Sequence, residues 1–140
     1  MEIKFTVPGQ PKGKQRSRVC RIRGKTITYT PKQTIEYEKL VGASYTAVSR
    51  DFFEKSIPLE ISILALFPIP KYVKKKTREL MINGYIFPTK KPDGDNIIKA
   101  ILDVLNGVTY RDDSQVCRIY FEKKYSEISK IEITIKEIVL

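Results

Sequence analysis

The sequence predicts an α/β fold in which a single domain, residues 1–140, forms a mixed sheet of about four strands with about three helices. Two patterns carry this prediction. Segments in which apolar and polar residues alternate, as in half-buried strands, are interspersed with segments in which apolar residues recur at helical spacing. The length is a third observation, because 140 residues suffice for one domain with its own core.

Four segments have the pattern of strands in this sheet. Residues 2–7 alternate apolar and polar side chains until Pro8 interrupts them, and residues 59–67 form an apolar run between two prolines. The first pattern is typical of a half-buried strand and the second of a buried one. Residues 116–123 and 131–139 follow, and the last segment alternates isoleucines with charged residues. We expect these four segments to build the sheet.

For two of the three expected helices, the apolar residues do not follow a clear helical spacing. The first begins at Thr30 or Pro31 and continues through Arg50 with imperfect helical spacing. The second covers residues 71–83, is short and basic, and ends at an Asn-Gly pair. We expect both helices to belong to the same domain as the sheet.

The third expected helix is short and well bounded, because Asp95 or Asn96 can cap its start and Asn106-Gly107 is a common stop. At about 100° per residue, its apolar side chains form one broad face. They are Ile97, Ile98, Ile101, Leu102, Val104 and Leu105. The opposite face holds four polar side chains within about 80° of each other. They are Asp95, Lys99, Asp103 and Asn106. One face is therefore core and the other is a polar row.

The composition excludes several kinds of site. The chain has no histidine, and Cys20 and Cys117 lie far apart, so a structural zinc site and histidine-dependent nucleophiles are excluded. Any catalysis must therefore depend on carboxylates, lysine, tyrosine or a metal ion. No apolar run approaches the roughly 20 residues of a membrane span, and the first residues do not resemble a signal peptide. We expect a cytoplasmic protein, associated with the nucleoid when bound to DNA, with both thiols reduced.

The charge points to nucleic acid as a partner. Lysine and arginine number 26 against 16 acidic residues, and a formal charge of +10 favours contacts with phosphates. Two clusters, residues 12–25 and 71–78, concentrate this charge, and the first contains a predicted hairpin of residues 19–22 and 26–29. We expect seven cations to contact the DNA backbone: Lys12, Lys14, Arg16, Arg18, Lys74, Lys75 and Lys76. The alternative is a solvated basic face.

Three aromatic residues near the second basic cluster have two interpretations. Tyr72, Tyr85 and Phe87 can stack on unpaired bases. We interpret them instead as packing residues.

Aspartates are concentrated in one stretch. Residues 91–116 hold five of the six aspartates, whereas all ten glutamates lie outside it. Asp93 and Asp95 come from a turn and a helix start, and Asp112-Asp113 returns just before a strand, so two or three carboxylates can converge. Such oxygen ligands suit Mg²⁺ or Mn²⁺, which can polarise a phosphoryl oxygen and orient a water. Lys99, one turn after Asp95, can orient an acid or neutralise phosphate charge.

A purely structural interpretation of the same residues is also possible. Asp93 can build a turn and Asp95 can cap the helix. Lys99 and Asp103 can form an exposed pair four residues apart. The structural interpretation needs a separate reason for each of these aspartates to lie in the same stretch. The residues alone favour a metal-phosphate site only because that many coincidences are needed.

The run D-x-D-N-x-x-K-x-x-L-D-x-L-N-G, followed by Y-x-D-D-S-Q-V, closely resembles the core of the RusA family of Holliday-junction resolvases. It begins at Asp93 and ends at Val116. The early segment GQPKGKQRSR resembles the family's basic N-terminal segment, although Ser17 stands where a proline is expected. The resemblance covers most of the chain, while residues 36–85 offer no diagnostic motif.

The resemblance implies a RusA-like fold and a small homodimeric endonuclease, often encoded by prophages. It would resolve four-way DNA junctions by paired symmetric nicks during recombination and repair, with Mg²⁺ or its substitute Mn²⁺. The family's metal-binding aspartates correspond to Asp93, Asp95 and Asp113, and its functional lysine corresponds to Lys99. Two rivals remain: a broader metal-dependent nuclease for flaps, forks or RNA, and a junction-binding protein that has lost catalysis.

Overall fold

Six strands, three α-helices and one short 3₁₀ turn form the fold of residues 1–139, which the computed structural model describes. The strands are β1 (Glu2–Pro8), β2 (Arg18–Ile22), β3 (Lys25–Tyr29), β4 (Leu59–Pro68), β5 (Val116–Ser126) and β6 (Lys130–Glu137). The helices are α1 (Lys32–Thr46), α2 (Lys75–Ile82) and α3 (Gly94–Leu105), and the 3₁₀ turn is Asp113–Gln115. No helix in this part of the chain is long and apolar enough to cross a membrane.

Four of the strands form one mixed sheet in the order β1-β6-β4-β5. β6 runs antiparallel to both β1 and β4, whereas β5 pairs in parallel with β4. The parallel pair requires a long crossover, and α2 and α3 lie within it. The predicted α/β class, with a mixed sheet of four strands and three helices, is confirmed.

The alternation of side chains places the core on one face of this sheet. Inward residues of β1 and β6 are buried, as are the apolar residues of α1 and α3 that pack against them. The opposite face is mainly polar, and the register brings Lys4, Thr134, Ser62 and Tyr120 into one row across it. Both α1 and α3 therefore lie on the apolar face, where they also pack against each other.

The two remaining strands, β2 and β3, form a separate antiparallel hairpin. The predicted pairing is confirmed, and the turn at its tip uses Arg23 and Gly24 with positive φ. Nearly every residue of the hairpin is exposed on both faces. It is thus a basic ribbon that stands apart from the main sheet.

Two helices are shorter than their sequence patterns predict. α1 ends at Thr46 and not at Arg50, because the backbone N–H groups of Val48 and Ser49 turn back to the carbonyl of Tyr45. The predicted basic helix begins only at Lys75, since Lys74 adopts an extended conformation. The spacing of apolar residues in the sequence does not predict where these local turns end or start a helix.

Candidate active site in a basic groove

An open groove of about 940 Å³ lies between the basic segment, residues 10–18, and the start of α3. Four predicted DNA-binding residues and two predicted metal-binding aspartates line it together. They are Lys12, Lys14, Arg16, Arg18, Asp93 and Asp95. These residues are separated by about 80 positions in sequence, and the fold brings them to the same cavity.

Asp93 and Asp95 flank the first residue of α3. Asp93 occupies the N-cap position in an extended conformation but makes no side-chain capping hydrogen bond, and Asp95 lies in the first helical turn. The helix therefore begins before the predicted caps, and the interpretation of Asp95 as a helix cap is wrong. Both side chains are exposed, and the helix N-terminus favours negative charge at this position.

Lys123 of β5 holds the backbone that leads into Asp93. Its ammonium donates hydrogen bonds to the carbonyls of Lys90, at 2.7 Å, and Pro92, at 3.1 Å. The same ammonium lies 4.9 Å from the centroid of the Phe67 ring. A cation with two carbonyl acceptors and an aromatic face is well compensated, so the approach to the helix start is fixed from the sheet.

Gly94 allows the start of α3 to approach β5 closely. A Cβ atom at this position would lie 2.9 Å from the nearest carbon of the Phe121 ring. The absence of a side chain at Gly94 thus determines how deep Asp93 and Asp95 sit against the sheet.

Asp113 opens the 3₁₀ turn immediately before β5, and the buried amide of Gln115 supports this turn. The amide oxygen of Gln115 accepts the backbone N–H groups of Arg111 (3.0 Å) and Asp112 (3.1 Å). Its amide nitrogen donates to two carbonyls of the segment before β4, those of Glu54 (2.8 Å) and Ile57 (3.1 Å). All four hydrogen-bonding positions of the amide are therefore used.

The members of the Asp112-Asp113 pair differ in their surroundings. Asp112 accepts a hydrogen bond from the hydroxyl of Ser114, and this bond lowers the pKa of the Asp112 carboxyl below its usual value. Asp112 is thus committed to the local turn. This difference agrees with the choice of Asp113 as the candidate ligand.

Tyr110 shows which part of α3 the Asp113 turn approaches. Its hydroxyl donates to the carbonyl of Leu102 at 2.9 Å. Burial raises the pKa of Tyr110 strongly, and the charges of Asp113, Asp103 and Asp112 raise it further. The segment that leads into Asp113 is therefore tied to the second half of α3, whereas Asp93 and Asp95 lie at its start.

Asp113 does not complete a three-acid cluster with Asp93 and Asp95. Within residues 1–139, no group of three or more potential ligand side chains stands close enough to hold a metal ion. The assignment of these three aspartates as metal ligands stays a prediction.

A profile of the family Endodeoxyribonuclease RusA matches residues 8–136, which is nearly the whole chain. The chain belongs to the RusA family. It is therefore an endodeoxyribonuclease, and nucleases of this family depend on divalent metal ions in general.

Two relatives match over almost their full length. "Uncharacterized protein YqaN" of Bacillus subtilis (strain 168) is 36% identical over 138 residues, covering 97% of this chain and 96% of the relative. "Crossover junction endodeoxyribonuclease rusA" of Lactococcus phage r1t is 28% identical over 138 residues, covering 98% of each. The similarity thus extends over both the basic segment and the aspartate-rich stretch.

The donor chemistry of this RusA family groove suits a divalent ion. Mg²⁺ usually binds through one or two carboxylates, with waters and substrate phosphates completing its coordination. Asp93 and Asp95 supply two such carboxylates beside cations that can hold phosphates. The residues present therefore fit a divalent metal ion.

The remaining predicted residues of the RusA family chain have different environments. Lys99 is exposed one turn after Asp95, on the polar row of α3. The structural interpretation expects Asp103 to pair with Lys99. Asp103 instead accepts a hydrogen bond from Lys14 at 2.6 Å. Lys74, Lys75 and Lys76 are exposed at the start of α2 and lie outside the lining of the groove.

The interpretation of three aromatic residues as packing residues is wrong. Tyr72 is 79% exposed, Tyr85 is 75% exposed and Phe87 is 49% exposed. Tyr72 lies within the second basic cluster, before α2 in the chain, and Tyr85 and Phe87 follow α2.

Gln115 and Lys123 support the backbone next to the candidate acids, and the sequence analysis assigned neither of them this role. Gln115 stands three residues after Asp112, which is the spacing of a capping box and a signal that could have identified it. Lys123 has no comparable signal, because its partners lie about 30 residues earlier in the chain.

Proposed function

We propose that this RusA family chain resolves four-way DNA junctions by paired symmetric nicks during recombination and repair, using Mg²⁺ or its substitute Mn²⁺. The observation that carries the proposal is the groove in which two exposed aspartates lie beside Lys12, Arg16 and Arg18. The junction as substrate is supported by the printed name of the Lactococcus phage r1t relative. We further propose that residues 1–140 act as one domain and that two chains form the active homodimer.

In this proposal, the residues of the groove divide the work between holding DNA and hydrolysing it. Lys12, Arg16 and Arg18 bind backbone phosphates without reading bases. Asp93 and Asp95 would hold the divalent ion, and Asp113, which does not form a cluster with them in this structure, would have to approach them to serve as the third acid. When bound, the ion would stabilise negative charge on the attacked phosphate and the departing oxygen. Lys99 orients an acid or donates to the phosphate from the polar row of α3.

Comparative cleavage tests the proposed substrate. The purified protein should cut a mobile four-way junction in Mg²⁺ much faster than flaps, replication forks, linear duplex or RNA. Equal rates on flaps and forks would establish the broader nuclease. Binding of the junction without cleavage in Mg²⁺ or Mn²⁺ would establish a junction-binding protein that has lost catalysis.

Asp95→Asn tests the proposed chemistry at one residue. The change preserves the shape of the side chain and removes no capping hydrogen bond, so folding should persist. Loss of one anionic ligand should lower the cleavage rate in Mg²⁺ by a factor on the order of 100 or more. Junction affinity measured without metal should hold or rise, because one negative charge near the phosphates is gone.

Asp51→Asn is the matched control, because Asp51 is exposed and lies outside the aspartate-rich stretch. It should cleave at the unmodified rate. A folded Asp95→Asn protein that cleaves within a few-fold of this control would contradict the metal-binding role.

A further inference from the structure

Lys14 lies between two carboxylates from different helices. Its ammonium is 2.6 Å from Oδ2 of Asp103 on α3 and 3.5 Å from Oε1 of Glu38 on α1. The three side chains are less than a third exposed, so solvent screens the pairs only in part. Lys14 differs in this respect from Lys12 and Arg16, which are exposed.

The backbone around Lys14 is anchored to the same two helices. The N–H of Lys14 donates to the carbonyl of Asn96 at 2.9 Å, and the N–H of Gln15 donates to the hydroxyl oxygen of Thr34 at 3.3 Å. The basic segment is therefore held on α3 by one residue and on α1 by the next.

Gly13 brings the basic segment into close contact with the start of α3. A Cβ atom at this position would lie 2.8 Å from Cβ of Asn96 and 3.0 Å from Cβ of Pro92. Pro92 and Asn96 bracket Asp93 and Asp95 in sequence. Any displacement of the basic segment thus changes the distance between its cations and the two aspartates.

From this geometry we propose that Asp103 is a positioning residue and not a metal ligand: through Lys14 it fixes the basic segment against α3. The pair sets the spacing between the phosphate-binding cations and the aspartates of the groove. The inference rests on the proposed function for its consequence in catalysis, whereas the anchoring itself does not depend on it.

The electrostatics agree with this role. The hydrogen bond with Asp103 is the main cause of a raised pKa at Lys14, and the charges of Asp103 and Glu38 contribute in the same direction. Lys14 is therefore already compensated by protein carboxylates. It is less available to DNA phosphates than the exposed cations of the segment.

Limited trypsin digestion tests the anchor without reference to activity. Asp103→Asn keeps the side-chain shape but weakens the bond to Lys14. Cleavage after Arg16 and Arg18 should accelerate about tenfold, because proteolysis follows the opening of the segment. Lys14→Met should accelerate it at least as much, and the double variant should match Lys14→Met alone. Gly13→Ala should reproduce the effect by steric displacement.

Lys12→Met is the matched control, since it removes an exposed cation from the groove without touching the anchor. It should weaken junction binding while cleavage after Arg16 and Arg18 stays at the unmodified rate. Circular dichroism of each variant separates local opening from global unfolding.

Metal dependence separates a positioning residue from a ligand. Asp103→Asn should leave the Mg²⁺ concentration for half-maximal cleavage unchanged, with the KM for junction DNA raised several-fold, whereas Asp95→Asn should raise the Mg²⁺ requirement. Unchanged trypsin resistance together with a raised Mg²⁺ requirement in Asp103→Asn would overturn the proposal. If no variant or parent cleaves junctions, the proposed function fails, while the digestion result still decides the anchor.

Discussion

Gln115 shows how one side chain can hold a turn that carries a candidate catalytic acid. Its amide joins the backbone of Arg111 and Asp112 to the carbonyls of Glu54 and Ile57. A side chain that cannot form these bonds leaves donors and acceptors unsatisfied in a largely buried place, and each such group costs about 1 to 3 kcal/mol. The turn that carries Asp113 is thus held by a side chain whose hydrogen bonds all go to backbone groups.

Replacing this amide tests its role in stability. Gln115→Leu keeps a similar volume but removes all four hydrogen bonds, so the free energy of unfolding should fall by about 2 to 4 kcal/mol. Urea unfolding measures the change. Ser114→Ala is the control, since it removes one exposed hydroxyl and should cost less than about 1 kcal/mol. Equal unfolding midpoints for the two variants would show that Gln115 does not hold the turn.

Sequence patterns could predict that Asp93, Asp95 and Lys99 lie at or near the start of a helix, because the signals are local. Helical spacing places Lys99 one turn from Asp95 whatever the rest of the chain does. The partner of Asp103 could not be found in this way. Local spacing predicts Lys99 as the partner of Asp103. The partner in the folded protein is Lys14, which lies 89 residues away in sequence.

The α2 helix places positive charge where a helix tolerates it least. Lys74 occupies its N-cap position, Lys75 and Lys76 follow, and no acidic residue lies in its first turn. Cations at a helix N-terminus oppose the helix dipole. This arrangement is unfavourable for the isolated helix and is therefore consistent with selection for binding an anionic partner.

Neutralising these three lysines tests α2 as a DNA contact. Replacing Lys74, Lys75 and Lys76 by alanine should lower junction affinity and reduce the salt slope by up to about 0.9 per lost phosphate contact. The helix itself should persist, because alanine favours it. Exposed lysines outside the basic clusters provide the control triple: Lys4, Lys39 and Lys55. Equal affinity and slope in the two triples would make α2 a solvated face.

The ends of the helices were harder to predict from the sequence than the presence of the strands and helices. β1 and β6 could be recognised because their apolar residues follow a period of two, β4 because it is an apolar run between two prolines, and α3 because its apolar face is broad. The ends of α1 and α2 depend on single backbone turns that carry no periodic signal. The exposure of Tyr85 and Phe87 was unpredictable for another reason, since aromatic composition favours burial unless a specific surface role exists.

At the scale of the whole molecule, the described part of one chain places Asp93 and Asp95 in the same groove. Two symmetric nicks on a four-way junction need two such grooves, facing two strands of the same polarity. The proposed homodimer satisfies this requirement by symmetry.

Light scattering tests the proposed assembly. At micromolar concentration the protein should have about twice the 16.2 kDa mass of one chain, with or without junction DNA. Dilution should reveal the dissociation range. A mass of one chain under both conditions would contradict the homodimer and require another source for the second nick.

The order of strands across the sheet has a consequence for synthesis. β6 is the last strand along the chain, yet it lies between β1 and β4, and it is the partner of β1 in the sheet. The first strand to leave the ribosome therefore waits for the last before it can pair. The surface on which α1 and α3 assemble is incomplete until then. A nascent chain would thus be unable to cut DNA until β6 has left the ribosome and paired with β1 and β4.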